Sequence, residues 1–285
     1  HGPLVRAALA LGKPVLCEKP LAPTYAEVAA LVADVTAAGT TAQVGFHQRF
    51  HPIVARLQES IVSGEHGRVM GYTLREDQFW PTGDVMPGHS SWRSQRGHAG
   101  GGALIEHSIH AADILCLLFG VPTRVFATTR ACFGYDVEDV AAVTLEHPSG
   151  VVGTLLSVFN GVRGREERRF EVFFEQASVE TTSDFIVGAP EDGYRVARPG
   201  EPHHEVDLDE LRRSFFDAQG ITRRDFLFYT YLADRAWVRA ARTGAVASPG
   251  FGDALAAHAV VEAAYRSASR GTPVELAEVM GEARP

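Results

Sequence analysis

Three consecutive glycines, Gly100–Gly102, constrain this chain more than any other feature of its sequence. Glycine weakens regular structure, so a run of three indicates backbone that turns sharply or passes close to another segment. The residues after this run predict one helix up to about Phe119, because Gly120 and then Pro122 are typical stop signals.

This predicted helix carries three polar side chains on one face. Glu106, His110 and Asp113 stand at i, i+4 and i+7, and this spacing aligns them in one stripe. Such a stripe can hold a general base and its orienting carboxylates, because an imidazole with a pKa of about 6.5 suits proton transfer near neutral pH. The alternative is a surface helix whose polar face meets water. The glycine run favours the catalytic interpretation.

The first fifty residues alternate between helical and strand-like patterns. Pro14–Cys17 and Thr41–Phe46 are short apolar runs that suit buried parallel strands. Between them, Thr24 and Glu27 predict a capping box for a helix over Tyr25–Ala38. This alternation predicts an α/β unit.

After about residue 50 the pattern changes to consecutive strands with helices at either end. A helix is predicted over Pro52–Ser63, and two more over Asp225–Arg242 and Asp253–Arg270. The strand-like runs are Val69–Trp80, Arg124–Phe133, Val140–His147, Val151–Phe159, Arg168–Glu175, Ser178–Thr182 and Val274–Leu276. Strands joined by short turns predict an antiparallel sheet in an α+β unit.

The segment Val15–Pro20 places a lysine at the end of a predicted parallel strand. Ligands of open α/β sheets bind at the carboxyl ends of the strands. Lys19 there can hydrogen-bond a substrate hydroxyl, and Pro20 fixes the turn that directs it. Taken alone, this segment favours a solvated loop residue at Lys19 over a substrate contact.

Together these segments resemble the Gfo/Idh/MocA oxidoreductase family. The Glu-Lys-Pro after a strand and the glycine run leading to His110 and Asp113 carry the resemblance. Further motifs agree in order and spacing, namely Arg49–Pro52, Gly64–Gly67, Trp92–Arg93, Asp253–Leu255 and Thr272–Leu276. The resemblance covers essentially the whole chain.

The resemblance implies a partial Rossmann dinucleotide-binding domain followed by an α+β domain with a large open, mostly antiparallel sheet. We expect the boundary after residue 47, with residues 1–47 as the end of the Rossmann domain and residues 48–285 for substrate binding and oligomerisation. The activity implied is hydride transfer between NAD or NADP and a sugar, cyclitol or related hydroxy compound. The large sheet implies a homo-oligomer formed through its open face.

Three catalytic residues follow from the same resemblance. Lys19 would orient the reacting hydroxyl, His110 would be the general acid/base, and Glu106 would occupy the position of an active-site carboxylate. The chain departs from the family pattern at Glu106, where the dehydrogenases usually have Asp, and the neighbouring His107 and Ser108 are also less usual.

Further site residues are expected around these three. Glu18, Lys19 and Pro20 after the first strand, and Gln48 and Arg49 after the second, are predicted cofactor contacts. The predicted substrate contacts are Trp92, Arg93 and Asp113.

The Gly-x-Gly-x-x-Gly turn that binds dinucleotide phosphates does not occur in the 285 residues. In the family it precedes the Glu-Lys-Pro segment, so we expect a chain truncated at its N-terminus, which by itself binds NAD(P) poorly and aggregates. The residue that selects NAD or NADP is expected in the same upstream segment.

Composition excludes several other classes. The formal net charge of -8 argues against a broad nucleic-acid surface, and no run approaches the roughly 18 apolar residues of a membrane span. Three dispersed cysteines predict a reducing, cytoplasmic location. His47, His51, His107 and His110 suggest a metal centre, but His47 is expected in extended chain and zinc-like spacing is missing, so no metal is predicted.

Three function classes remain open at this stage. The first is the NAD(P)-dependent dehydrogenase, and the second is a glycoside hydrolase of the same architecture that reduces and regenerates bound NAD. The third is a non-catalytic binding protein built on the sheet, against which the presence of Lys19 and His110 argues.

Overall fold

A computed structural model describes residues 1–81, 91–162, 167–183, 192–222 and 230–281. Its N-terminal part consists of α1 (Gly2–Ala10), β1 (Val15–Cys17), α2 (Tyr25–Ala38) and β2 (Ala42–Val44). The two strands pair in parallel, with Val15 opposite Ala42. The Thr24 hydroxyl accepts the Glu27 amide and α2 ends at Gly39 in the left-handed conformation. The predicted α/β alternation and the N-cap of α2 are therefore confirmed.

The remaining strands form one large sheet. They are β3 (Val69–Phe79), β4 (Arg124–Arg130), β5 (Val140–Glu146), β6 (Val152–Asn160), β7 (Glu167–Phe174), β8 (Ser178–Ser183), β9 (Gly193–Ala197), β10 (His204–Glu205) and β11 (Val274–Glu275). Within the described residues the sheet has nine strands in the order β10-β9-β8-β7-β3-β6-β5-β4-β11. Every neighbouring pair is antiparallel except β3 with β6, which confirms the mostly antiparallel sheet.

The sheet has one buried and one open face. In β5, Ala141, Val143 and Leu145 are buried, whereas Ala142 and Thr144 between them are exposed. Successive side chains of a strand point to opposite faces, so this alternation leaves one face covered by helices and the other facing outward.

In the part of the chain that the structure describes, eight α-helices follow β2, of which α5, α9 and α10 contact strands of the large sheet. They are α3 (Pro52–Ser63), α4 (Arg96–Ala99), α5 (Ala103–Glu106), α6 (Ile109–Phe119), α7 (Leu208–Gln219), α8 (Thr230–Thr243), α9 (Phe251–Arg270) and α10 (Leu276–Gly281). Among the described residues, no single helix is long and apolar enough to cross a membrane.

Helix α9 joins the two parts of the chain. It packs against β4, α6 and α2, and the amide of Val44 in β2 donates to the carbonyl of Pro249, just before α9, at 3.0 Å. The C-terminal segment therefore contacts both the parallel unit and the large sheet.

The single helix predicted after the glycine run is wrong. Helices α5 and α6 are separate, and the segments Arg96–Glu106 and Ile109–Phe119 are bent by 47°. The amides of His107 and Ser108 both donate to the carbonyl of Ala103, and the buried Ser108 hydroxyl bonds the Ser157 hydroxyl on β6 at 2.6 Å. A hydrogen bond to the sheet thus interrupts the helix.

The idea of a polar, water-facing surface on this helix is also wrong. His110 and Asp113 are as buried as the apolar residues of α6, with 3% and 1% of their surfaces exposed. The helix is enclosed between the sheet and α9, so both of its sides lie in the interior.

Several smaller expectations differ from the structure. Strand β2 ends at Val44, and His47 lies in a 3₁₀ turn over His47–Phe50 instead of extended chain. Elements β9, β10 and α7 were not predicted, because they are short or, in α7, mostly polar. The predicted helix start at Asp225 lies outside the described residues.

Candidate active site

The glycine run is packed against three different neighbours. A Cβ atom on the first glycine of Gly100–Gly102 would lie 2.2 Å from the carbonyl oxygen of Pro23, and that glycine has a φ of +84°. On the second it would lie 2.1 Å from the Tyr265 hydroxyl, and on the third 1.7 Å from the carbonyl oxygen of Glu138. No side chain fits at any of the three positions, which confirms the predicted close approach of backbone.

The glycine turn leads directly to the lysine at the end of β1. The Lys19 ammonium donates to the main-chain carbonyl of Glu106, the last residue of α5, at 2.6 Å. The peptide bond between Lys19 and Pro20 is cis. Lys19 is half-buried and held at a defined place, so it is not a freely solvated loop residue.

The carboxylate of Glu106 is held by a second cation. Its Oε1 accepts from Arg93 Nε at 2.8 Å, and the side chain is 12% exposed. The Arg93 guanidinium lies 4.6 Å from the ring centre of Trp92. Burial acts to raise the pKa of Glu106, but Lys19 and Arg93 outweigh it and the pKa lies below its usual value. Glu106 is therefore an ionised acceptor at neutral pH.

His110 faces other aromatic rings at the start of α6. Its ring centre lies 4.7 Å from that of His47 and 5.8 Å from that of Phe46. Burial, followed by the charge of Lys19 and the neighbouring His47 and His107, holds the pKa of His110 well below its usual value. A neutral imidazole at neutral pH can accept a proton.

Two further imidazoles are kept neutral in the same way. Burial, reinforced by Lys19, lowers the pKa of His47 to about 4 and that of His107 to about 4. In the described residues, no group of three or more His, Cys, Asp or Glu side chains is arranged to hold a metal ion.

Asp113 and Arg49 form a buried ion pair. Arg49 Nε donates to Asp113 Oδ2 at 2.7 Å, its second nitrogen contacts Oδ1, and it also reaches Asp253 at 3.0 Å. Burial raises the pKa of Asp113 to about 6, although Arg49 opposes this. Gln48, beside Arg49, is 5% exposed. The contacts of these three residues with cofactor or substrate remain predictions.

The other predicted site residues line one cleft of about 420 Å³. It contains Glu18, Lys19, Pro20, Trp92, Arg93 and Glu106. An adjoining groove of about 590 Å³ runs along β1 and includes Val5, Cys17, Glu18 and Trp237. The cleft lies at the carboxyl end of a parallel strand, where α/β sheets bind dinucleotides, so its residues can hold the nicotinamide end of such a cofactor.

Sequence reasoning missed three residues near this site. His47 was considered only as a metal ligand, yet its ring packs on His110. Glu138 and Tyr265 support the glycine turn from positions far away in sequence. The position of His47 directly after a parallel strand was the available signal; Glu138 and Tyr265 have none.

The site lies between a parallel βα unit and a large open sheet, and it contains a lysine, a glutamate and a neutral histidine. This arrangement is that of a two-domain oxidoreductase with a Rossmann-type cofactor domain. Two models of one family match the chain. The model described as "Oxidoreductase family, NAD-binding Rossmann fold" matches residues 1–46, and the "GFO/IDH/MocA C-terminal domain" matches residues 54–180. The chain belongs to the Gfo/Idh/MocA oxidoreductase family.

Individual relatives agree with this assignment. The chain is 27% identical to D-xylose 1-dehydrogenase (NADP(+)) 2 of Haloferax volcanii over 278 residues, covering 97% of this chain and 77% of the relative. It is 31% identical to inositol 2-dehydrogenase 2 of Paenarthrobacter aurescens over 208 residues, covering 69% and 58%. The fold matches levoglucosan dehydrogenase in complex with NADH and L-sorbose with a TM-score of 0.82, at 23% identity, covering 98% of this chain and 78% of that one.

Proposed function

We propose that this protein transfers a hydride between NAD or NADP and a hydroxyl group of a sugar, cyclitol or related compound. The observation that carries the proposal is the hydrogen bond between Lys19 and Glu106 at the cleft, with the neutral His110 one helical turn after Glu106 in the sequence. The names of the relatives, which include dehydrogenases of xylose, apiose and inositol, support this substrate class.

Lys19 orients the substrate oxygen. An ammonium has three donors, and one of them is used by the carbonyl of Glu106. The others are available to a hydroxyl, and the positive charge stabilises the alkoxide character that develops on the oxygen during oxidation.

His110 accepts the hydroxyl proton. Oxidation of an alcohol removes a proton from oxygen as well as a hydride from carbon, and nicotinamide, when bound, supplies the acceptor for the hydride. The imidazole of His110 is neutral at pH 7 and therefore has a ring nitrogen that can accept the proton. Glu106, fixed by Arg93, accepts a hydrogen bond from a neighbouring hydroxyl.

The residues of the cleft fit the nicotinamide end of the cofactor. Glu18, Lys19 and Pro20 follow β1 directly and border the 420 Å³ space, and this edge of a parallel sheet is the place where dinucleotides bind. We propose Gln48 and Arg49, which follow β2, as further contacts on the cofactor side, and Trp92, Arg93 and Asp113 on the substrate side.

A spectrophotometric assay at 340 nm tests the reaction class. The chain, expressed with any residues encoded upstream of His1 and also as the 285 residues, is incubated with NAD or NADP and a panel of aldoses and inositols. Net cofactor reduction supports a dehydrogenase. Release of sugar from a glycoside with no net reduction indicates the hydrolase of the same architecture, and binding without either indicates a non-catalytic protein.

We also propose that the protein forms a homo-oligomer through the open face of the sheet. Phe126, Val152 and Leu156 lie on that face and are 41%, 48% and 39% exposed, and apolar side chains grouped in this way favour a protein contact. Light scattering of the wild type and of Leu156→Glu tests this, because a charge in the contact should yield monomers. The three free cysteines support a reducing, cytoplasmic location.

A further inference from the structure

We propose that Glu138 is a positioning residue for Lys19 and Glu106. It fixes the beginning of the one-turn helix α5, and the end of that helix receives the Lys19 ammonium. The proposal concerns the site to which the proposed function assigns catalysis and rests on that function for its kinetic consequence.

Glu138 binds three consecutive main-chain amides. Its Oε2 accepts from Gly102 N at 2.8 Å and its Oε1 from Leu104 N at 3.0 Å. Its own carbonyl oxygen accepts from Ala103 N at 3.0 Å. The first amides of a helix have no partner within the helix, and here one residue that is 4% exposed satisfies all three.

The other end of α5 carries the contacts of the site. Glu106 N donates to the carbonyl of Gly102 at 2.9 Å. One helical turn therefore separates the amides that Glu138 binds from the carbonyl that Lys19 binds. The carbonyl of Glu106 then accepts from Lys19, and its carboxylate accepts from Arg93. Because α5 has only four residues, a displacement of Gly102 also displaces Glu106.

Tyr265 holds the Glu138 carboxylate in place. Its hydroxyl donates to Oε1 at 2.8 Å from helix α9, and the same hydroxyl occupies the space where a Cβ of Gly101 would be. Burial beside Glu138 raises the pKa of Tyr265 well above its usual value, so the tyrosine remains a donor. The glycine turn is therefore enclosed by two side chains that also bond each other.

A carboxylate is needed because both oxygens accept main-chain amides. Glu138→Gln must turn its NH₂ group towards either Gly102 N or Leu104 N, and two donors then face each other. The start of α5 moves away from residue 138, and the carbonyl of Glu106 moves with it.

The neighbouring residue provides a matched control. Asp139 is fully buried, and its carboxylate also accepts two main-chain amides, Cys132 N at 2.8 Å and Phe133 N at 2.7 Å. These amides belong to the turn after β4, which contributes nothing to the cleft lining. Asp139→Asn therefore creates the same conflict between donors away from the site.

The kinetic arm compares the two variants in the active enzyme. Displacement of reacting groups by about 1 Å costs on the order of 100-fold in rate. We expect Glu138→Gln to lower kcat about 30- to 100-fold, and Asp139→Asn to stay within about threefold of wild type at equal folded fraction. Tyr265→Phe, which leaves the amide contacts intact, should give an intermediate loss. Equal kcat in Glu138→Gln and Asp139→Asn overturns the proposal.

A second arm does not depend on activity. The 285 residues contain only two lysines, Lys13 and Lys19, so reductive ¹³C-methylation gives two side-chain signals in NMR, with exposed Lys13 as internal reference. Glu138→Gln should move the Lys19 signal, Asp139→Asn should not, and the Lys13 signal should stay in place in both. An unmoved Lys19 signal overturns the positioning role. A moved signal in a protein without dehydrogenase activity instead contradicts only the proposed function.

Discussion

The Lys19 ammonium and the main-chain carbonyl of Glu106 are joined by a 2.6 Å hydrogen bond although 87 positions separate them in the sequence. One partner ends a strand of the parallel unit, and the other ends the helical turn beside the large sheet. The site is therefore complete only when these two parts of the chain are docked together.

Loss of either Lys19 or His110 should abolish most of the activity. We expect Lys19→Ala and His110→Ala each to reduce turnover at least about 100-fold, because loss of a charge-stabilising donor costs about 10²–10³-fold and loss of a general base about 10²–10⁴-fold. Steady-state kinetics at 340 nm measure this. Lys13→Ala, the change at the other lysine, serves as control and should behave like wild type; near-normal turnover of either site variant contradicts the assignment.

Shortening Glu106 should affect substrate binding more than turnover. Glu106→Asp withdraws the carboxylate from Arg93 by one methylene, but leaves the main-chain carbonyl that binds Lys19 in place. Loss of a hydrogen bond to a charged group costs about 1.5 kcal/mol, so KM for the sugar should rise about tenfold. Arg93→Gln should give a similar rise. If KM is unchanged in both variants, the Arg93–Glu106 pair does not shape the pocket.

Two glycines close in sequence should respond in opposite ways to alanine. At Gly102 a Cβ would lie 1.7 Å from the carbonyl oxygen of Glu138, whereas at the exposed Gly97 it would meet nothing within 4 Å. We expect Gly102→Ala to lower the free energy of unfolding by about 3 kcal/mol or more. Gly97→Ala should raise it by about 0.5 kcal/mol, since the unfolded chain loses entropy. Urea unfolding followed by circular dichroism distinguishes the two.

Histidines whose pKa is lowered in the folded protein should make the protein less stable in mild acid. The pKa of His47 is about 4 in the folded protein and about 6.5 in the unfolded chain, so protons bind preferentially to the unfolded state. The free energy of unfolding therefore has its full value above pH 6.5. It falls towards pH 4 by about 1.4 kcal/mol per pH unit for each such histidine.

Urea unfolding at pH 7.5 and 5.0 measures this dependence. His47→Asn should reduce the difference between the two pH values by the contribution of one group. The exposed His203→Asn should leave the difference as in wild type. If His47→Asn shows the same difference in unfolding free energy between the two pH values as wild type, His47 is not held neutral in the folded protein.

The fold was largely predictable because its signals are local. Helix α2 follows from Thr24, Glu27 and Gly39, which lie within its own length, and the strands of the sheet follow from their alternating patterns. The break between α5 and α6 was not predictable, since it depends on the bond from Ser108 to Ser157 on a distant strand. The domain boundary after residue 47 stays a prediction.

The positions of the candidate site residues were predictable only where one segment carried several of them, and their roles stay predictions. Lys19 follows a strand, and Glu106 and His110 share one short stretch with the glycines. Glycine is required there because Pro23, Tyr265 and Glu138 fill the space that side chains would need. These three residues are distant from one another in sequence and meet the glycines only in the folded protein. The spacing of residues in the sequence likewise did not predict the ion pair between Asp113 and Arg49.

The parallel pairing of β3 with β6 has a consequence for diversification of the family. Because β4 and β6 both run in the same direction as β3, the chain must return across the molecule between β3 and β4, and this return carries the glycine turn, α5 and α6. Length or composition can change within the return while the pairing of β3 with β6 keeps its register. The sheet can thus stay constant while the segment that carries the proposed site residues varies, and we expect differences in substrate preference among relatives to be concentrated between residues 80 and 119.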